Sequence, residues 1–127
     1  MPGPDPSRLA MPLGEAIFTQ RAIRRLKPDP IPTEDIRLIL EAAVKAPSGG
    51  NGQFERFLVV TDPAKVAEFG ALYHEAWWAK RRDFEGWTTP EDIPADRAVS
   101  QSAMRLANEI GAAPCIVFVL STKGAPA

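Results

Sequence analysis

Apolar positions recur at helical spacing in four stretches of the chain and run nearly unbroken in two. Leu13, Ala16 and Ile17 share one face of a short helix over 13–19, closed by the basic cluster Arg21, Arg24, Arg25 and Lys27. Pro28, Pro30 and Pro32 hold the backbone extended. Thr33 then caps a second helix, with Glu34 and Asp35 set against its positive dipole end. Its expected apolar face is Ile36, Ile39, Leu40 and Ala43, and Pro47 marks where it has ended. Phe57 to Thr61 reads as a strand. Asp62-Pro63 supplies an N-cap and a preorganised first residue for a long helix with the stripe Val66, Phe69, Tyr73 and Trp77. Between Arg81 and Pro94 the periodicity dissolves, predicting a loop or lid. Helical spacing returns from Asp96 to Ile110 through Val99, Ala103, Leu106 and Ala107, with Gly111 placed as a C-terminal cap. Cys115 to Leu120 is an unbroken apolar run of the kind found in strands covered on both faces.

Two strands are marginal as a sheet, so the apolar run at 115–121 demands neighbours on both edges and predicts that further sequence completes it. Pro2, Gly3, Pro4, Asp5 and Pro6 place too little apolar area at the start to offset ordering entropy, so residues 1–11 are expected to be a flexible tail and 12–127 a partial domain.

Composition narrows the function classes. Of the 127 residues, 45% are hydrophobic and 24% charged, as in one globular domain. Fifteen Lys and Arg against sixteen Asp and Glu give a net charge of −1, too little to draw the protein to nucleic acid or an anionic membrane. The lone Cys115 and the absence of a Cys/His cluster argue against zinc and predict a reducing, cytoplasmic setting. No apolar run approaches the ~20 residues that span a bilayer.

Two segments can carry chemistry. Gln20-Arg21-Ala22-Ile23-Arg24-Arg25 follows a helix end, where guanidinium forks can grip a phosphate or simply neutralise the helix C-terminus. Ala46-Pro47-Ser48-Gly49-Gly50-Asn51-Gly52-Gln53 puts glycines, a hydroxyl and two carboxamides on one loop between helix and strand. Such a loop can hydrogen-bond the polar edge of a heterocyclic cofactor, or serve only as a tight connection.

In this order and spacing the two segments, followed by Arg56-Phe-Leu-Val-Val, resemble the N-terminal signature of the nitroreductase family over roughly 14–62. A second likeness covers 105–123, where Ala113-Pro114-Cys115-Ile-Val-Phe-Val is similar to the family's apolar central strand. The resemblance implies an α+β fold with a nitroreductase-like central sheet flanked by helices, incomplete at the C-terminus, and a homodimer with FMN at the interface. It implies that Gln20, Arg21, Ala22 and Arg24 stand on the phosphate side. Pro47, Ser48, Gly49, Asn51 and Gln53 would meet the flavin held mainly by the partner subunit. Family members often carry Ser where Ala22 stands, so Arg21 and Arg24 must do more here. Pro-Trp commonly follows the loop glutamine, whereas this chain has Phe54-Glu55. Members also continue past the strand at 115–121 into further helix, strands and phosphate contacts.

The function so implied is hydride transfer from NAD(P)H through FMN to a nitroaromatic, quinone or similar small-molecule acceptor, with no catalytic side chain required. The alternative is a flavin-binding module or inactive fragment without turnover. His74 reads as a surface or packing residue and Cys115 as a small hydrophobe. Trp77, Trp78 and Trp87 form either core or interface, or a wall over a planar substrate. Lys80-Arg81-Arg82-Asp83 reads as a solvated helix end, with nicotinamide phosphates as its other possible use.

Overall fold

The computed structural model describes residues 5–122. The chain forms helices α1 (Leu13–Thr19) and α2 (Thr33–Ala43), strand β1 (Glu55–Val60), helices α3 (Pro63–Glu85) and α4 (Ala98–Glu109), and strand β2 (Ile116–Ser121). Among the described residues the strands make one two-stranded sheet. The Thr122 amide donates to the Phe54 carbonyl at 3.2 Å, pairing the start of β1 with the end of β2, so the strands run antiparallel. The fold is therefore α+β, as expected.

Contacts divide the chain into two compact units. The described part of the first comprises 5–22, 30–59 and 117–122; the second comprises Ile23–Asp29 and Val60–Ile116.

In the first unit, residues 1–4 of the expected tail lie outside the described residues. Pro6–Arg8 form a 3-10 turn capped by Asp5, and the Arg8 guanidinium pairs with the Asp35 carboxylate at the start of α2. Pro32, not Thr33, occupies the N-cap of α2, and no side chain caps it. The Asp35 amide, which has no intrahelical partner four residues back, is instead bonded to the Pro32 carbonyl, which also takes the first regular helical bond, from Ile36. The face that α2 buries also differs from expectation. Leu38 is the buried residue, Ile36 and Leu40 are half-buried, and Ile39 is 55% exposed. On α1, Ala16 is half-buried while Leu13, Ile17 and Phe18 are exposed. With β1 as its one partner among the described residues, β2 keeps part of its apolar run uncovered, in keeping with its demand for further neighbours: Val119 is 65% exposed and Leu120 is exposed beside it. A two-stranded sheet has too few layers to cover these side chains.

The second unit is better packed, around Val66, Gly70, Ile93, Ala107 and Ala113. Asp62 accepts from the Ala64 amide at 2.9 Å and Pro63 takes the first helical position, which starts α3 where the sequence places it. Its end lies beyond expectation. Arg81–Glu85, expected in the loop, are helical, closed by Gly86 in the left-handed region at φ 74°. The Gly86 amide donates to the Arg82 carbonyl at 3.1 Å, the single bond of an αL stop, and the Trp87 amide reaches that of Arg81 at 3.4 Å. The segment after it is a capped turn with its end anchored. Asp92 accepts from the Thr88 and Thr89 amides, and Ile93 is buried.

Gly111 is likewise not a left-handed cap. It lies in a 3-10 turn, Ile110–Ala112, whose backbone the missing side chain of Gly70 admits against α3. No described helix is long and apolar enough to cross a membrane.

Candidate functional site

The loop between α2 and β1 has a defined geometry. After Ala43 the chain leaves the helix through tight turns, in which the Lys45 and Ala46 amides bond the Ala42 and Ala43 carbonyls, and Pro47 forbids continuation. Ser48 is extended, and Gly49–Asn51 form a 3-10 turn. Gly50 has φ 61°, which glycine adopts freely. Asn51 at φ 53° and Gln53 at φ 49° also lie in the left-handed region, where a side chain costs about 1–2 kcal/mol in sterics, least for Asn.

Local hydrogen bonds hold these residues there. Ser48 anchors the turn at two points: its carbonyl accepts from the Asn51 amide at 2.9 Å and its Oγ from the Gln53 amide at 3.1 Å. The Gln53 carboxamide donates through Nε2 to Asn51 Oδ1 at 3.3 Å. Arg56 closes the far side, its Nη1 donating to the carbonyls of Gln53 at 3.0 Å and Glu55 at 2.8 Å. Phe54, standing where the family pattern has proline, lays its ring over Gly52; a Cβ there would fall 2.7 Å from Phe54 Cδ2. The substitution is thus accommodated by a glycine two residues earlier.

Beside the loop is a cavity of about 220 Å³. Ala43, Val44, Ala46, Pro47 and Phe57 give it apolar walls, and Ser48, Gln53, Glu55 and Arg56 its polar groups. Of the expected site residues, the structure joins Ser48, Asn51 and Gln53 by hydrogen bonds and places Pro47 and Ser48 on the cavity wall; Gly49 begins the turn. Gln20, Arg21 and Ala22 follow α1 in the same unit, all exposed. Arg21 donates to the Thr19 carbonyl at 3.3 Å, which engages one of its several N–H groups. Arg24 belongs to the second unit and is half-buried. Arg56 was given no role by sequence; the only signal was its place three residues after the loop glutamine.

The other expected candidates lie in the second unit. Trp77 and Trp78 meet edge to face at 5.0 Å, Arg81 stacks over Trp77 at 5.1 Å, and Arg81 Nη1 pairs with Glu85 at 2.8 Å. Arg81 is thus bound to its own helix, not a solvated end. Trp78 Nε1 donates to Asn108 at 3.4 Å, and the His74 ring is 6.4 Å from that of Trp78 on an exposed stretch. Burial pushes the Cys115 thiol up from its ordinary value. Among the described residues no group of three or more His, Cys, Asp and Glu could hold a metal ion.

Comparison with known proteins agrees with the fold. The chain is 45% identical over 65 residues to an NADH dehydrogenase of Thermus thermophilus, a match taking in 47% of this chain and 32% of that relative. Its fold is similar to an FMN-dependent nitroreductase from Mycobacterium smegmatis solved in complex with NADPH, with a TM-score of 0.57 and 21% identity, covering 96% of this chain and 63% of that one. The chain thus spans less than two thirds of the length of these relatives. The pattern that defines the Nitroreductase family matches residues 17–126, nearly the whole chain, and the chain belongs to that family.

Proposed function

We propose that this chain is an FMN-dependent oxidoreductase that acts as a homodimer with the flavin at the interface. The observation that carries this reading is the Ser48–Gln53 loop of a nitroreductase-family chain, whose left-handed Asn51 and Gln53 hold two carboxamides and a hydroxyl on one turn. The donor set fits a flavin. The Ser48 hydroxyl hydrogen, the Asn51 Nδ2 N–H groups and the Gln53 Oε1 have no bonding role in the turn itself, and together they match a ring edge that alternates donors and acceptors. Gly50 has nothing within 4 Å of where its Cβ would be, so a planar ring can approach the backbone there.

When bound, FMN supplies the redox chemistry, accepting a hydride from NAD(P)H and passing electrons to a nitroaromatic, quinone or similar acceptor. The chain's own residues bind and orient. Ser48, Asn51 and Gln53 would meet the polar ring edge, with Pro47 and Gly49 shaping the approach. Arg21, with Gln20 and the Ala22 backbone, would meet the phosphate as a charge-assisted donor. Arg24 is proposed for the same role on the strength of the family pattern. A cationic and hydrogen-bonding surround favours the more negative state of a reduced ring.

The test is a titration of purified protein with FMN, followed by NADH or NADPH without oxygen. Saturable uptake and loss of the yellow band on adding nicotinamide support the reading. The alternative reading is a flavin-binding module without turnover. It predicts uptake with the band retained. Protein that takes up no FMN overturns both.

A further inference from the structure

We propose that Arg56 is a positioning residue for the Ser48–Gln53 loop, holding the Asn51 and Gln53 carboxamides in the direction a ligand would meet. The proposal rests on the flavin reading for what is met, and on the loop geometry alone for how it is held. Gln53 has φ 49° and no glycine's freedom to adopt it, so its conformation must be imposed by its surroundings. Its amide is fixed by Ser48 Oγ at 3.1 Å and its carbonyl by Arg56 Nη1 at 3.0 Å. The peptide groups on both sides of the Gln53 Cα are thereby clamped.

Ser48 is part of the loop and moves with it. Arg56 is not: it lies inside β1, paired to β2, so its guanidinium ties the loop to the sheet. The same Nη1 also donates to the Glu55 carbonyl at 2.8 Å, which fixes the guanidinium against its own strand while it reaches back three residues. Once Gln53 is clamped, its Nε2 reaches Asn51 Oδ1 and sets the second carboxamide. Removing Arg56 leaves the Gln53 carbonyl to water and lets residue 53 relax toward negative φ, which swings both carboxamides. One nitrogen, Nη1, serves both carbonyls with its two N–H groups held in the guanidinium plane; a lysine ammonium has enough donors, but they rotate freely and do not fix the direction of the two bonds.

The experiment compares wild type, Arg56→Ala and Arg56→Lys by amide hydrogen exchange and by FMN titration. In Arg56→Ala, exchange at 49–54 should quicken about tenfold while α3 keeps its protection, as expected for local opening after loss of about one hydrogen bond's net free energy. Arg56→Lys should be intermediate. FMN affinity should fall about tenfold in Arg56→Ala with a changed visible band shape, and recover in part in Arg56→Lys. If Arg56→Ala does not fold, Arg56→Gln takes its place with the same expectation. Unchanged exchange at 49–54 in these variants overturns the proposal. If wild type binds no FMN, the flavin reading fails while the exchange measurement still decides the role of Arg56.

Discussion

Gly70 of α3 faces Gly111 with no room for a side chain: a Cβ built on Gly70 would fall 2.6 Å from the Gly111 amide nitrogen and closer still to its Cα. The reverse is not true, because a Cβ on Gly111 would meet Ala67 and Gly70 at ordinary contact distances of 3.6 Å. Gly70→Ala should therefore destabilise by about 1–3 kcal/mol, even though alanine is the better helix former by ~1 kcal/mol. Gly111→Ala should be near neutral. Thermal unfolding of the two variants checks the asymmetry; equal midpoints would show that the backbones are not in close contact.

This pair also shows where sequence reasoning stops. A glycine after an apolar helical stripe reads equally well as a left-handed cap or as a site of close approach, and only the tertiary partner decides. The start of α3 was legible because Asp62 and Pro63 act within one turn. Its end was obscured by the charged run, where an i,i+4 pair between Arg81 and Glu85 sustains helix without apolar periodicity. Glycine spacing pointed to the candidate loop, yet one of its left-handed φ values falls on Gln53, which no composition rule marks. Periodicity likewise gave α2 a stripe but not the buried Leu38, since which stripe is covered depends on neighbouring layers.

The turn after α3 should respond to acid. Two backbone amides, Thr88 first and then Thr89, donate to the Asp92 carboxylate at 2.8 and 2.9 Å and hold its pKa below the ordinary 3.8. The charged form is the one bonded in the fold. Its contribution is present above pH 3.8 and lost as the pH falls through the lowered value. Amide shifts of Thr88 and Thr89 followed by NMR should titrate with a midpoint below 3.8, and Asp92→Asn should remove that titration. A midpoint at or above 3.8 would mean that the carboxylate is not bonded in solution.

Cys115 should behave oppositely. Burial favours its neutral thiol and raises its pKa above 9.0, so the associated stability is present below 9.0 and lost as the pH rises through the raised value. Alkylation by iodoacetamide across pH should give a midpoint above 9.0 in the folded protein and an ordinary one in denaturant. Identical midpoints would mean that the thiol is solvated in the native state.

The phosphate assignment separates most cleanly at Arg21. Its guanidinium is exposed and spends one contact on the Thr19 carbonyl, so replacing it removes little that holds the fold. A charge-assisted bond to phosphate contributes about 1.5–3 kcal/mol, so Arg21→Ala should weaken FMN binding roughly tenfold to a hundredfold with an unchanged melting temperature. Riboflavin, which lacks the phosphate, provides the control. If Arg21 meets the phosphate, the variant loses affinity for FMN and keeps whatever affinity wild type has for riboflavin. Equal losses for both ligands would place Arg21 against the ring or the loop instead. Arg24 belongs to the other unit, so Arg24→Ala is measured separately against the same pair of ligands. Loss confined to FMN in both variants would extend the assignment from one arginine to two; loss in neither would move the phosphate away from this segment altogether.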